Sequence, residues 1–342
     1  MNEQPVRVLV VGAGSIGQRH VRCFLATGRV EMAICEVHRQ RLDEVAGQYD
    51  VRRTYGNLAD ALGDAHDVAV IATPADQHVQ MALELAQAGI HLLIEKPLST
   101  TLEGIDLLSQ RAAERRLNVV VAYVLRMHPA LRELKGILAQ RRFGRPVQLV
   151  AAVGQHFPTY RPAYREIYYA HRASGGGAVQ DCLTHTINAA QWLVGPIDRL
   201  VADVAHQCLD GVEVEDTAHV LARHGPLLAS YSVNQYQAPN ELTITVVCQG
   251  ATLRFELHHN RLRWMERPEG PWHDAWTGHL ERDDLFVAQA HAFLDAVQGQ
   301  AEPVCTVEEA TDTLRCNLAI LASAQEHKWI RPAREAPLRP PP

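Results

Sequence analysis

Three ionisable side chains are candidates for proton transfer. Lys96 follows a predicted strand from Leu92 to Glu95 and precedes Pro97, which places it at the carboxyl edge of a sheet. Its ammonium group could stabilise negative charge on a reacting oxygen, although a lysine at a strand end can also be a solvated charge. Asp181 and His185 lie four positions apart on a predicted helix and therefore share a face.

His185 is a suitable general base, and Asp181 is a suitable group to orient the reactants. An imidazole can accept a proton from a hydroxyl whose carbon loses hydride. The carboxylate could hold that hydroxyl or the imidazolium, or the pair could only stabilise the helix. Gly175 to Gly177 just before them permit a close backbone approach at the helix start. Because no third ligand has a suitable spacing, the sequence predicts no metal site.

A glycine-rich turn near the N-terminus predicts a dinucleotide site. Gly12, Gly14 and Gly17 form a G-x-G-x-x-G pattern that directly follows the apolar run Val6 to Val11 and opens a predicted helix. The pyrophosphate would meet backbone N–H groups in the first helical turn, which includes Ser15 and Ile16.

Glu36, at the end of the second predicted strand, bears on the choice of dinucleotide. Its carboxylate could accept hydrogen bonds from the adenosine ribose and would repel a 2′-phosphate, which favours NAD over NADP. His38, Arg39 and Arg41 weaken this preference, because cations could accommodate the phosphate.

Further cofactor contacts are expected where other strands end. Thr73 and Pro74 close the strand Val68 to Ala72, and Thr73 could either contact the cofactor or only end the strand. The remaining candidates are His78, Glu95 and Lys96.

A loop from Tyr160 to Arg172 is dense in arginine and tyrosine. Such a surface suits a polyhydroxylated or anionic ligand, and it suits a subunit contact equally well. The candidate substrate contacts are Lys96, Tyr123, Arg126, Arg165, Tyr168, Arg172, Asp181 and His185.

The element pattern predicts an α/β protein with two domains. Up to about residue 125, continuous apolar strands alternate with amphipathic helices, which is typical of a doubly wound parallel sheet. Short alternating segments from Leu200 to Met265 predict a mostly antiparallel sheet, accompanied by helices that include Ala178 to Val194. The predicted divisions are a nucleotide-binding domain at 1–125, a substrate domain at 126–330 and a proline-rich tail at 331–342.

Composition excludes several classes of protein. A net charge of −6 without a Lys/Arg-rich run argues against nucleic-acid binding. The longest apolar runs are far shorter than a membrane span, and the N-terminus lacks a secretory pattern. Seven cysteines, an odd number with no Cys-x-x-Cys pair, favour reduced thiols. We therefore expect a cytoplasmic protein with neither a nucleic-acid nor a membrane partner.

In the order of these motifs the chain resembles the Gfo/Idh/MocA oxidoreductases, the family of glucose-fructose oxidoreductase and inositol dehydrogenase. The resemblance covers Val6 to about Ala324. The matching stretches are Val8 to Gly17, Ile94 to Leu98 with its Glu-Lys-Pro element, Tyr123 to Pro129 at the domain junction, and Gly175 to His185 with its Asp-x-x-x-His element.

The resemblance implies an N-terminal Rossmann domain and a C-terminal α/β domain with an open, mostly antiparallel sheet. Members often form dimers or tetramers through that sheet, so a homodimer or homotetramer is expected. It also implies catalysis by Lys96, acid/base chemistry at His185 and substrate positioning by Asp181. The substrates that it implies are sugars, sugar nucleotides, inositols and related polyols.

Three functions are consistent with these residues. The first is an NAD-dependent oxidoreductase that acts on a secondary hydroxyl of a sugar, sugar derivative or cyclitol. The second is a glycoside-cleaving enzyme that retains its NAD through oxidation, elimination and reduction. The third is a non-catalytic nucleotide-binding regulator, which gives no reason for Lys96, Asp181 and His185 to occur together.

Overall fold

The computed structural model describes residues 4–332, so the predicted tail at 331–342 lies almost entirely outside the described residues. The chain divides into two compact units, each discontinuous in sequence. The first contains the chain up to Pro129, Ala173–Gly175 and His279–Ala310. The second contains Ala130–Arg172, Gly176–Gly278 and the chain from Thr311 onwards.

The first unit is built on a six-stranded parallel sheet, as the apolar runs predict. Its strands are β1 (Val6–Val11), β2 (Val30–Cys35), β3 (Arg53–Tyr55), β4 (Val68–Ile71), β5 (His91–Ile94) and β6 (Val119–Val121). They lie in the order β3-β2-β1-β4-β5-β6, which confirms the doubly wound fold. The order reverses between β1 and β4, and ligands bind such sheets at the carboxyl ends of the strands beside that reversal.

Helices accompany this sheet, and the longer ones bury an apolar face. They are α1 (Ser15–Ala26), α2 (Arg39–Tyr49), α3 (Leu58–Ala61), α4 (His78–Gln87), α5 (Ile105–Arg115) and, from the C-terminal part of the chain, α9 (Asp284–Val297). The buried positions of α1 include Gly17, His20, Val21 and Phe24, the spacing of one helical face.

Helix α9 belongs to the first unit, although the predicted substrate domain at 126–330 includes it. The rings of Phe24 and Phe293 meet edge to face with their centroids 6.5 Å apart. Arg29, which follows the C-terminal end of α1, donates a hydrogen bond to the carboxylate of Asp295 on α9 at 2.6 Å. This packing joins residues that are remote in sequence and leaves no local signal.

The second unit contains an eight-stranded, mostly antiparallel sheet, as predicted. Its strands are β7 (Pro146–Gly154), β8 (Arg199–Ala205), β9 (Thr217–His224), β10 (Leu227–Asn234), β11 (Glu241–Cys248), β12 (Thr252–Glu256), β13 (Arg261–Met265) and β14 (His273–Thr277). The order is β14-β13-β12-β11-β7-β10-β9-β8, and within it β7 and β10 pair in parallel. The remaining helices are α6 (Pro129–Ala139), α7 (Phe157–Tyr160), α8 (Thr184–Val194) and α10 (Val307–Glu326).

Burial alternates along the central strands of this sheet, so one face is buried and the other is exposed. On the exposed face, neighbouring strands align Val150, Ser230, Leu221 and Val201 in a single cross-strand row. Leu221 is 56% exposed. The face is therefore more apolar than a solvent-facing sheet surface requires.

The structure contains neither a disulfide nor a membrane-spanning helix within the described residues. All seven cysteines carry free thiols. No helix within residues 4–332 is both long enough and apolar enough to cross a membrane.

Asp216, a buried residue just before β9, organises a loop of the second unit. Its carboxylate accepts hydrogen bonds from the backbone N–H groups of Gln207 at 3.0 Å, Cys208 at 2.7 Å and Leu209 at 2.9 Å. Burial acts to raise the pKa of this carboxyl, but the hydrogen bonds outweigh burial and hold the pKa below its usual range. The carboxylate is therefore ionised at neutral pH.

We expect Asp216→Asn to lower the free energy of unfolding at pH 7 by about 1–3 kcal/mol, because it leaves buried N–H groups without an acceptor. The lowered pKa stabilises the folded state above the ordinary value of 3.8, and this stabilisation is lost as the pH falls through the lowered folded value. Denaturant unfolding between pH 7 and pH 3 should therefore show a shallower acid dependence in the variant. Asp274→Asn, at an exposed residue of the same unit, is the control. Equal midpoints for Asp216→Asn and wild type at pH 7 would contradict this role.

Candidate functional site

The turn between β1 and α1 has little room for side chains. Gly12 has φ of +90°, and a Cβ there would lie 2.8 Å from the carbonyl oxygen of Ala72. A Cβ at Gly17 would lie 1.9 Å from the carbonyl oxygen of Gly12. At Gly14, by contrast, no side chain or backbone from elsewhere in residues 4–332 lies within 4 Å of the Cβ position. The turn is thus tight on the protein side and open at Gly14, as an approaching pyrophosphate requires.

The N-terminus of α1 supplies donors to this open side. Ser15 is the first residue of α1, Ile16 follows it, and no side chain caps the helix start at Gly14. The first N–H groups of a helix have no intrahelical acceptor and favour anions. The residues present therefore fit the pyrophosphate of a dinucleotide.

Glu36 places a fixed negative charge beyond the end of β2. Its carboxylate accepts hydrogen bonds from the backbone N–H groups of Ala13 at 2.8 Å and His38 at 2.9 Å, and Arg41 lies 3.4 Å from it. Burial acts to raise the pKa of Glu36, but the two N–H groups and Arg41 together lower it. The side chain is ionised at neutral pH, and Arg41 is paired with it, while Arg39 is paired with Asp43.

His78 joins the loops that follow β4 and β5. The side chain is 1% exposed, and its two ring nitrogens lie 2.9 Å from the carbonyl oxygen of Thr73 and 3.0 Å from that of Pro97. Burial lowers the pKa of His78 below its usual range, although the contacts with these two carbonyl groups act to raise it. The hydroxyl of Thr73 points to the sulfur of Met81 at 3.6 Å. His78 thus fixes the backbone beside Thr73 and Pro74, and direct contact of these residues with the cofactor stays a prediction.

Glu95 is oriented by a residue that the sequence did not single out. One carboxylate oxygen lies 2.7 Å from Nε2 of His20 on α1, and the other accepts the backbone N–H of Lys96 at 3.1 Å. Burial acts to raise the pKa of Glu95, but the contact with His20 and the charge of Lys96 lower it overall. The backbone at Lys96, whose bond to Pro97 is cis, is therefore attached to α1 through His20 and Glu95.

His20 could have been noticed as a polar residue on an apolar helix face. It lies one turn after Gly17 and is 1% exposed, with its ring edge-on to Phe286 at 5.8 Å between centroids. A buried histidine among apolar residues needs a polar partner. The sequence shows that need but not the partner.

Tyr123 and Arg126 are buried in the first unit. Tyr123 is 1% exposed, and Arg126 is 2% exposed. The guanidinium of Arg126 donates to the carbonyl oxygen of Val304 at 2.9 Å and to the carboxylate of Glu309 at 2.8 Å. Arg126 therefore ties Val304 and the first turn of α10 to the rest of the unit, and its contact with substrate stays a prediction.

Asp181 and His185 lie in the second unit on a helix that changes type. The predicted helix from Ala178 to Val194 is present, but it is not α-helical throughout, because Val179–Leu183 form a π-helical turn that leads into α8. Such turns are frequent at functional sites. Asp181 is 7% exposed and accepts a hydrogen bond from the hydroxyl of Tyr168 at 2.7 Å, and His185 is half-buried in the first turn of α8.

The arginine- and tyrosine-rich loop has a core of its own. Tyr169 packs on Phe157 with centroids 4.4 Å apart, and Tyr164 meets Phe157 at 5.9 Å. Arg165 lies over the ring of Tyr164 and donates to the carbonyl oxygen of Asp210 at 2.8 Å. This core fixes the loop and presents Tyr168 to Asp181.

Glu215 is a second residue that the sequence did not single out. It is 3% exposed, and its carboxylate lies 2.9 Å from Nη2 of Arg172. The same carboxylate accepts the backbone N–H of Val179 at 3.1 Å. A Cβ at Gly177 would lie 2.4 Å from a carboxylate oxygen of Glu215. Arg172, predicted to bind substrate, is thus paired with an acid of its own chain.

Glu256, His258 and His259 form a separate cluster whose potential ligand atoms lie within 4.8 Å of one another. The carboxylate of Glu256 is paired with Arg261 at 3.0 Å and Arg263 at 2.9 Å. The two guanidinium groups beside Glu256 would repel a divalent cation, so the cluster gives no ground for a metal centre.

Comparison with known proteins identifies both parts of the chain. Residues 6–123 match the family model described as "Oxidoreductase family, NAD-binding Rossmann fold". Residues 131–254 match the model described as "GFO/IDH/MocA C-terminal domain".

Individual relatives agree with these models. An uncharacterized oxidoreductase of Synechocystis, sll0816, is 28% identical over 73% of this chain and 68% of its own. An inositol 2-dehydrogenase of Saccharopolyspora erythraea is 30% identical over 55% of this chain, and the match spans only 54% of that relative's length.

A solved structure shares the fold. Levoglucosan dehydrogenase in complex with NADH and levoglucosan superposes with a TM-score of 0.88, covers 97% of this chain and 100% of its own, and is 19% identical. Because the two family models together match more than half of the chain, the chain belongs to the Gfo/Idh/MocA oxidoreductase family, with an NAD-binding Rossmann fold in its N-terminal part.

Proposed function

We propose that this protein transfers a hydride between NAD and a secondary hydroxyl of a sugar, sugar derivative or cyclitol. The observation that carries the proposal is the combination, in one chain, of the open α1 N-terminus beside ionised Glu36 with the proton-transfer set Lys96, Asp181 and His185. The names of the matched inositol and levoglucosan dehydrogenases support the substrate class.

The residues that would hold NAD lie at the carboxyl ends of β1, β2, β4 and β5. The N–H groups at the start of α1 bind the pyrophosphate, Glu36 accepts from the adenosine ribose, and Thr73 lines the crevice. When bound, the nicotinamide supplies a hydride acceptor. His78 and Glu95 contribute by fixing the backbone on either side, as their contacts with carbonyl and N–H groups support.

The proton moves at the substrate hydroxyl. His185 accepts it as the carbon loses hydride, and the ammonium of Lys96 stabilises negative charge on the oxygen. Asp181 holds the hydroxyl, since a carboxylate has acceptor sites beyond the one that Tyr168 uses.

The arginines of the predicted substrate surface favour an uncharged ligand. Arg126 donates to Glu309, Arg165 to the carbonyl oxygen of Asp210, and Arg172 to Glu215. Each guanidinium thus has an acceptor within its own unit. We propose a neutral polyol or sugar rather than an anionic one, because binding an anion would compete with these contacts.

We expect Lys96→Ala and His185→Ala each to lower kcat by about a hundredfold or more, because each removes a proton-transfer group. The measurement is NADH absorbance with inositols, neutral sugars, sugar nucleotides and glycosides, with product analysis on the same samples. Lys328→Ala and His279→Ala, at exposed residues, are the matched controls. Turnover within about threefold of wild type in either site variant would refute the assignment. Glycoside consumption without net NADH would indicate the retained-cofactor mechanism instead.

Glu36→Gln tests the preference for NAD. We expect the ratio of kcat/KM for NADP to that for NAD to rise by about tenfold, which corresponds to about 1.4 kcal/mol of lost repulsion at the 2′-phosphate. Glu44→Gln makes the same substitution at an exposed residue of α2 that is paired with the uncharged side chain of Gln40, and it serves as the control. An unchanged ratio in Glu36→Gln would show that this carboxylate does not select the cofactor.

We further propose that two copies of the chain associate through the exposed face of the eight-stranded sheet. Its apolar row, flanked by polar rows, suits a second copy of the same surface. We expect Leu221→Arg to convert the assembly to monomers in analytical ultracentrifugation, because it puts an unpaired charge at the centre of the contact. Leu107→Arg, at an exposed leucine of α5 in the first unit, should leave the sedimentation unchanged. A wild-type protein that sediments as a monomer would refute this assembly.

A further inference from the structure

Glu215 contacts both ends of the segment that leads into the Asp181 helix. Its carboxylate pairs with Arg172 before the segment and accepts the N–H of Val179 after it. Its backbone oxygen accepts the N–H of Ala178 at 2.8 Å. One buried residue, 36 positions further along the chain than Val179, therefore binds two consecutive N–H groups at the helix start.

The residue at the N-cap position cannot cap the helix with its side chain. Ala178 occupies the N-cap position and makes no side-chain capping hydrogen bond. The first N–H groups of a helix need acceptors, and a negative charge near them is favourable. Glu215 meets both requirements from a distant part of the chain.

Gly177 and Glu215 are matched in shape. Gly177 has φ of +97°, and all three nearest atoms to its Cβ position belong to the Glu215 carboxylate, at 2.4 to 2.8 Å. Any side chain at residue 177 would displace the carboxylate from the helix start. The glycine is therefore needed for the cap as well as for the turn.

From this geometry we infer that Glu215 is a positioning residue, which caps the helix of Asp181 and His185 and couples it through Arg172 to the loop that carries Tyr168. The inference rests on the proposed function, since it assigns Glu215 a role in placing residues used there. Two links tie the loop to the helix: Tyr168 to Asp181, and Arg172 through Glu215 to Val179.

Arg172 favours the charged form of the Glu215 carboxyl. Burial raises the pKa of Glu215 above its usual range, and Arg172 opposes that rise. Removing the guanidinium therefore favours a neutral Glu215, which is a weaker cap. Arg172→Met, which retains much of the aliphatic stem, should thus act on the helix in the same way as Glu215→Gln.

The test compares Glu215→Gln, Arg172→Met and the double variant with wild type. Hydrogen exchange measured by mass spectrometry on a peptide covering 178–183 should accelerate by about tenfold in each variant, because the capping bonds weaken. With the neutral polyol that wild type oxidises, kcat should fall by about tenfold while the KM for NAD changes by less than about twofold. The double variant should be no worse than the worse single variant, since the two residues act as one unit.

Ser323→Ala supplies the control for a general loss of stability. Ser323, also in the second unit, is fully buried, and its hydroxyl accepts the N–H of Ala202 and donates to the carbonyl oxygen of Lys328. The Ser323→Ala variant should have a lower Tm than wild type, with unchanged hydrogen exchange at 178–183 and an unchanged kcat.

The outcomes separate this inference from the proposed function. Unchanged exchange at 178–183 in Glu215→Gln, or faster exchange with an unchanged kcat, overturns the positioning role. If wild type oxidises no polyol, the proposed function fails, and faster exchange in Glu215→Gln and Arg172→Met would still support the cap.

Discussion

Buried carboxylates bind the backbone N–H groups of the loops that carry the candidate site. Glu36 accepts from Ala13 and His38, Glu95 from Lys96, and Glu215 from Val179. Burying a carboxylate is costly, and the cost is offset only when hydrogen bonds or charges surround it. Irregular segments and helix starts leave backbone N–H groups that need acceptors. The carboxylates provide these acceptors, and the N–H groups in turn offset the cost of burying the carboxylates.

Helix α1 connects the glycine-rich turn at Gly12 to Gly17 with the loop of Lys96. Its first turn presents N–H groups beside Gly14, and one turn later His20 contacts Glu95. Glu95 in turn binds the backbone of Lys96. A displacement of α1 would therefore move its N-terminal N–H groups and the Lys96 loop together, so the proposed cofactor site and the proposed catalytic lysine are coupled within the first unit.

The features that were predictable from sequence are those with local causes. Continuous apolar runs predicted the parallel sheet, and the glycine spacing predicted a tight turn whose steric reasons the structure supplies at Gly12 and Gly17. Strand β3 and helix α3 were missed because three and four residues are too short for a periodic signal. The π-helical turn was missed because its residues, Val179–Leu183, also fit an ordinary helix.

The missed site residues depend on contacts between distant segments. Val212 to Glu215 alternate apolar and acidic residues, a pattern typical of a strand with solvent-exposed acids, yet Glu215 and the following Asp216 are both buried. The position of His20 on an apolar helix face likewise indicated that it is buried, but the sequence did not indicate that its partner is Glu95. The predicted catalytic roles of Lys96, Asp181 and His185 stay predictions.

The consecutive glycines 175–177 each face a different obstacle. The Cβ position of Gly175 lies 3.0 Å from the Cβ of Ala75, that of Gly176 lies 2.1 Å from the carbonyl oxygen of Tyr169, and that of Gly177 meets Glu215. No single compensating change elsewhere could therefore relieve substitutions at all three. In a directed-evolution library aimed at new substrates, these positions should be kept constant, and diversity is better introduced at the exposed residues 161–163, 166 and 167, which leaves Arg165 and Tyr168 in place.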